Sequence, residues 1–134
     1  MRVGERMTPE PETIGSTDTL AAAKALMDAR GFRRLPVVDA GRLVGILTER
    51  DIRQHWGYLD ATRVDAAMTP NPVTITPEES VQTAARLMIS HKIGGLPVMA
   101  ESRVVGMLTT TDVIKAFLDL SMRVPAERPP ARAG

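Results

Sequence analysis

One stretch of this chain occurs twice. Met7-Thr8-Pro9-Glu10-Pro11 returns as Met68-Thr69-Pro70-Asn71-Pro72, an offset of 61 residues. Leu35-Pro36-Val37 returns as Leu96-Pro97-Val98 at the same offset, Gly45-Ile46-Leu47-Thr48 as Gly106-Met107-Leu108-Thr109, and Asp51 as Asp112. From residue 7 to residue 54 no gap is needed, and 18 of those 48 positions are identical. Self-similarity of this kind marks a tandem duplication. Repeat 1 spans 1–60 and repeat 2 spans 61–122. Gly57 to Arg63 form the connection, and 123–134 is a Pro- and Arg-rich tail expected to be disordered. A unit of this size buries too small a share of its surface to stand well alone, so the two copies are expected to pack on each other.

Composition narrows what such a pair can do. With one Trp, one Tyr and two Phe, the cores must come from Leu, Val, Ile, Ala and the eight Met. No cysteine is present, which excludes disulfides, thiolate metal sites and cysteine nucleophiles. His55 and His91 are too few, and too far apart, for an imidazole metal site. Seventeen basic against 16 acidic residues leave a formal charge of +1, too weak a field for nucleic acid or an anionic membrane as main partner. No apolar run reaches the roughly 18 residues of a membrane span, and the first residues lack a signal-peptide layout. A cytoplasmic module is expected.

Each repeat reads as strand, helix, strand, strand, helix, an α+β unit. A brief extended stretch (12–14 and 73–75) follows Met-Thr-Pro. A helix comes next, over 18–30 and 77–91. Leu20, Ala23 and Met27 mark its inward face in repeat 1, and Val81, Ala84, Ala85 and Met88 in repeat 2. Thr76 is the expected N-cap of the second helix, with Pro77 at its first position and Glu79 completing a capping box. Gly31 ends the first. Two β-rich runs joined at Ala40-Gly41 read as a hairpin, and a last helix is expected over 50–56 and 111–121.

Thr48-Glu49-Arg50-Asp51 and Thr109-Thr110-Thr111-Asp112 sit where a strand becomes a helix. Free amides at a helix start attract anions, a Thr hydroxyl can donate to phosphate, and a carboxylate one turn on can accept a ribose diol. The same spacing also makes a plain helix cap worth ~1 kcal/mol. Arg33-Arg34 stand just before Leu35-Pro36-Val37 and suit phosphate through paired guanidinium hydrogen bonds, or a solvated strand edge. Repeat 2 has Gly94-Gly95 there, which reads as a tight turn. The two repeats are therefore expected to differ in their hold on phosphate.

Two repeats with an opening Met-Thr-Pro, a central Leu-Pro-Val and a closing Gly-x-Leu-Thr-x-x-Asp resemble tandem cystathionine-β-synthase (CBS) domains, a Bateman module. The resemblance covers residues 1 to 122. It implies two β-α-β-β-α repeats packed through their small sheets about a pseudo-twofold axis, with two equivalent clefts between them. It implies adenosine-containing ligands in those clefts, with Thr48 and Thr109 at ribose or phosphate, Asp51 and Asp112 at the ribose diol, and Arg33 and Arg34 at phosphate. By the same resemblance the adenine meets backbone near Thr13-Ile14 and Thr74-Ile75, with Val37 and Val98 as cleft walls.

The resulting expectation is a sensor that binds AMP, ADP or ATP as a regulatory ligand and modulates its own dimer or an effector protein. A homodimer through the four helices is expected. No catalytic cofactor or metal is expected, because no nucleophile sits beside a base and no paired acids are spaced for acid–base work. The alternatives are a ligand-free oligomerisation adaptor and an S-adenosylmethionine sensor.

Overall fold

A computed structural model describes residues 1–122; the expected tail, 123–134, lies outside the described residues. In chain order the elements are α1 (Val3–Arg6), β1 (Thr8–Pro9), α2 (Leu20–Arg30), β2 (Arg34–Asp39), β3 (Arg42–Thr48) and α3 (Glu49–Arg53). Short 3₁₀ turns follow at Leu59–Ala61 and Val64–Ala66, and then β4 (Thr69–Pro70), α4 (Val81–His91), β5 (Gly95–Ala100), β6 (Arg103–Thr109) and α5 (Thr110–Met122).

The local chemistry explains most of these boundaries. Thr19 caps α2 by accepting the Ala22 amide at 3.1 Å, and Gly31 closes it at φ 73°, a left-handed turn that suits glycine. The two-residue turns Ala40-Gly41 and Glu101-Ser102 have positive φ at both positions, which matches the twist of the hairpins they join. Helix α4 differs from expectation. Its cap is Ser80, which accepts the Thr83 amide at 3.0 Å, so Thr76 to Glu79 lie outside the helix. The carbonyls of Pro77 and Glu79 accept the Gly4 and Val3 amides instead, and the Val81 amide donates to Met1. Chain from the other end of the molecule has replaced that first turn.

This replacement is one half of a reciprocal exchange. Strand β1 of repeat 1 pairs with β6 of repeat 2, Thr8 opposite Met107. Strand β4 of repeat 2 pairs with β3 of repeat 1, Thr69 opposite Ile46. The sheets are thus β2-β3-β4 and β5-β6-β1, with the same register displaced by 61 residues (Arg34 opposite Thr48, Gly95 opposite Thr109). Val3 is wholly buried in the core of repeat 2, beside Ala84, Leu96 and Leu108, while Val64 is wholly buried in that of repeat 1, beside Ala23, Leu35 and Leu47. The glycine in each Gly-x-Leu-Thr motif permits the crossing. A methyl on Gly45 would stand 2.5 Å from Sδ of Met68, and Gly106 faces Met7 in the same way.

The α+β class and the packing of the two repeats through β3 and β6 are as expected. The extended stretch before α2 shrinks to one parallel bridge, Ile14 with Val37, and its twin pairs Ile75 with Val98. Pro36 and Pro97 lack the amide that would extend the pairing.

Candidate functional site

Each Thr-x-x-Asp segment closes a reciprocal capping box. The Thr48 amide donates to Oδ2 of Asp51 at 2.9 Å, and the Asp51 amide donates to the Thr48 hydroxyl at 3.2 Å. In repeat 2 the Thr109 amide donates to Oδ2 of Asp112 at 2.8 Å, and the Asp112 amide returns to Thr109 at 3.3 Å. The Glu49 amide donates to the Arg33 carbonyl and the Thr110 amide to the Gly94 carbonyl. Two of the first three amides of each helix are therefore engaged within the chain, so little of the expected anion nest is open. What the box leaves is Oδ1 of each Asp, which takes no hydrogen bond among the described residues. A carboxylate held rigid by its own cap is well placed to accept a hydroxyl.

Two clefts lie beside these segments, and each mixes both repeats. The first, of about 720 Å³, runs from Thr48, Arg50 and Asp51 across to Thr69, Pro72, Val73 and Gly94-Gly95. The second, of about 270 Å³, runs from Met107, Thr109 and Thr111 across to Thr8, Pro11, Glu12 and Phe32. The pairs Thr8/Thr69, Pro11/Pro72, Glu12/Val73, Phe32/Ile93 and Thr111/Arg50 are equivalent in the duplication, so these are two versions of one site. A cleft of the larger volume falls within the ordinary range of small-molecule sites, about 300–1,000 Å³.

Arg33 and Arg34 line both clefts. Gly94 and Gly95 do not form a left-handed turn; they make room for Arg34. A Cβ on Gly94 would overlap Nη2 of Arg34, and one on Gly95 would stand 2.7 Å from its Cδ. The expectation that one cleft would favour phosphorylated ligands because it alone reaches the arginines meets a different geometry: the Arg34 side chain lies across the glycine pair, and Arg33 and Arg34 line both clefts. Burial, and then the neighbouring Arg33, lower the pKa of the half-buried Arg34. Neither arginine has an ion-pair partner among the described residues, whereas Glu12 at the second cleft is engaged by Arg30 at 3.2 Å. The first cleft adds Arg50, Arg53 and Lys92 to its rim against Glu49 and Asp51. Both clefts carry an excess of positive side chains, the larger excess in the first.

The structure thus gathers Thr48, Asp51, Arg33 and Arg34 in one cleft, and Thr109, Arg33 and Arg34 in the other, with Asp112 bonded behind Thr109. Thr13, Ile14, Val37, Thr74, Ile75 and Val98 line neither. Val37 and Val98 are wholly buried in the two cores and cannot act as cleft walls in this arrangement. The Ile14 and Ile75 backbones are held by their strand bridges, while Thr13 and Thr74 are exposed to solvent. The lining residues at Thr8, Glu12, Phe32 and their twins were not anticipated. The offset of 61 marked all of them, but only the strand exchange shows which repeat's cleft they face. No group of residues able to hold a metal ion, and no helix long and apolar enough to cross a membrane, occurs among the described residues.

Two duplicated units that trade a strand and share two interfacial clefts define a paired ligand-binding module. The CBS domain model matches residues 3–57 and 63–119, and the chain belongs to that family as a tandem pair. A CBS domain-containing protein of Dictyostelium discoideum is 36% identical over 140 residues, covering 93% of this chain and 97% of the relative. Other relatives are much longer: the chain spans 21% of the length of an inosine-5'-monophosphate dehydrogenase of Korarchaeum cryptofilum. Among solved structures, the CBS domain pair of protein MJ0100 in complex with 5'-methylthioadenosine and S-adenosyl-L-methionine is 30% identical, with a TM-score of 0.83 over 90% of this chain and 98% of that one. The structure of CBSX2 in complex with AMP is 26% identical, with a TM-score of 0.77 over 90% and 98%.

Proposed function

We propose that this chain is a cytoplasmic regulatory module that binds an adenine nucleotide (AMP, ADP or ATP) in the clefts between its repeats and signals through its own dimer or an effector protein. The observation that carries this reading is the convergence of unpaired guanidinium groups with a rigidly capped carboxylate in one cleft. Arg33 and Arg34 supply directed hydrogen bonds to phosphate, Thr48 a hydroxyl, and the free oxygen of Asp51 an acceptor for ribose hydroxyls. In the second cleft Thr109 repeats the hydroxyl, and Asp112, bonded behind it, would reach a ribose only from the cleft's edge. The side chains at these clefts bind and orient, and the proposed role is regulatory rather than catalytic.

Assembly follows from exposed apolar surface. Ile89 on α4, and Ile114, Phe117 and Leu118 on α5, are more than half exposed, as are Trp56 and Tyr58 after α3. Helix α2 carries no such residue, so a homodimer is expected to use repeat 2's helices more than repeat 1's, with closed twofold symmetry. Sedimentation at micromolar concentration should give twice the 14.5 kDa chain mass, and Phe117→Asp should return it to the monomer.

A second reading, S-adenosylmethionine, draws on Glu12, a carboxylate at the second cleft where the first has Val73. Calorimetric titration with AMP, ADP, ATP, S-adenosylmethionine and adenosine separates the readings. Nucleotides should bind more tightly than adenosine, and a ligand at 100 times its dissociation constant should add ~2.7 kcal/mol of apparent stability. Tighter binding of S-adenosylmethionine selects the second reading, and no binding by any of the five selects a ligand-free adaptor.

A further inference from the structure

The duplication would be expected to equip each cleft with its own bases. It does not. Arg33-Arg34 occur in repeat 1 only, and the equivalent Gly94-Gly95 have no side chains to offer. The same two glycines remove the steric barrier between the clefts, since a Cβ on Gly95 would stand 2.7 Å from Cδ of Arg34. Arg34 therefore lies at the junction of the repeats and borders both clefts, with no carboxylate partner among the described residues to hold it to one side. A guanidinium has more than one donor edge, but each edge makes its paired hydrogen bonds to one phosphate at a time, and two phosphates drawn to one cation repel each other.

Accepting the clefts as adenosyl sites, we infer that they share Arg34 as their common phosphate ligand, so that a phosphorylated ligand in one cleft weakens phosphate binding in the other. One chain then holds one phosphorylated ligand tightly and the second weakly, and occupancy of either cleft is reported to its twin. The coupling is reciprocal, because whatever AMP in the first cleft does to the second must be returned equally. Adenosine lacks the group that competes for Arg34, and its two binding events are independent.

The two clefts differ in their own right, so unequal affinities alone do not establish sharing. The test measures each cleft in isolation. Thr111→Trp fills the second cleft and Arg50→Trp the first, leaving one site in each variant for AMP calorimetry. With sharing, the second AMP step of the unmodified chain is weaker than the weaker single-site constant by about tenfold or more, within the usual 5–150-fold range of site coupling. Adenosine should show no such gap. Arg34→Ala, placed in the unmodified chain and in both filled-cleft variants, should weaken AMP in each and remove the gap between the two-site steps and the single-site values of that same background. If the two single-site constants reproduce the unmodified chain's AMP titration, the clefts are independent and the inference fails. If Arg34→Ala weakens AMP at one cleft only, it also fails. A chain that binds neither AMP nor adenosine overturns the adenosyl reading itself, a result distinct from two independent AMP sites.

Discussion

The two repeats share a backbone plan but not a division of labour. Repeat 1 has the arginine pair, a five-residue final helix (α3) and an Ala-rich helix α2 with no large exposed apolar side chain. Repeat 2 has the glycine pair, a thirteen-residue final helix (α5) and the exposed apolar positions of α4 and α5. The cores diverged conservatively, as at Leu20 against Val81 and Ile52 against Val113, and the surfaces more freely. Leu35, Val37 and Leu47 are each matched by an identical, equally buried residue, Leu96, Val98 and Leu108. Positions facing the clefts diverged in charge: Glu12 against Val73, Arg50 against Thr111, and Arg33-Arg34 against Gly94-Gly95. Core positions answer to packing volume, which tolerates few substitutions. Cleft positions answer to whatever enters.

The comparison meets its largest test in the cores. Leu47→Ala and Leu108→Ala remove wholly buried side chains at equivalent sites, and each should cost about 2–5 kcal/mol. Because each repeat lends a strand to the other, both variants should still unfold in a single transition in urea. Two separate transitions would show that the repeats are stable independently and that the exchange adds little.

How much of this was legible before the structure depended on the range of the interaction. Gly31 as a helix end, Ala40-Gly41 as a hairpin turn and the inward faces of α2 and α4 are local, and residues within a few positions decide them. The start of α4 was misplaced because its first turn is displaced by Met1, Val3 and Gly4, roughly eighty residues earlier in the chain. Val37 and Val98, which the family resemblance puts at the clefts, lie in the cores, because β2 and β5 bury three successive residues there and leave no face open to a ligand. Interaction range also hid Thr8 and Phe32 from the site. The Met-Thr-Pro motif was plain in the sequence; its destination in the other repeat's sheet was not.

That destination can be tested at Val3. Its side chain is wholly buried in repeat 2's core although it belongs to repeat 1's sequence. Val3→Ala should cost about 1.5–3 kcal/mol. Hydrogen exchange should then quicken more in β5 and β6, through local opening, than in β2 and β3, which lose only what the lowered global stability takes. Val64→Ala should give the mirror pattern. A greater loss of protection in β2 than in β5 for the Val3 variant would contradict the exchange.

Asp51 and Asp112 separate capping from binding. Each carboxylate accepts its Thr amide, so Asp→Ala at either site should lower stability by ~1 kcal/mol. If the free oxygen also holds ribose, nucleotide affinity should fall by a further 1.5–3 kcal/mol equivalent at that cleft only, about the value of a hydrogen bond to a charged group. Calorimetry and thermal melting on the same two variants read both quantities. A double variant that melts lower but binds nucleotide normally would leave these residues as caps alone.

The smallest difference is one of pH. In repeat 1 the Asp39 carboxylate accepts the Ser16 hydroxyl and amide, which, with a smaller contribution from Arg63, hold its pKa below the ordinary carboxylate value. Pro77 and Ala100 occupy the equivalent places in repeat 2 and offer no such contact. Repeat 2 has its acid-sensitive contact elsewhere: Glu5, on the exchanged α1, accepts the Arg2 amide and is likewise held low. A carboxylate with a lowered folded pKa contributes fully above its unfolded value and loses that contribution as pH falls through the folded one. Below about pH 4, therefore, amide exchange should quicken at residues 14–18 and β2 in repeat 1, and at α1 for repeat 2. Asp39→Asn should abolish the first change and leave the second. If residues 14–18 in that variant keep the acid response of the unmodified chain, another group is responsible and Asp39 is not the clamp.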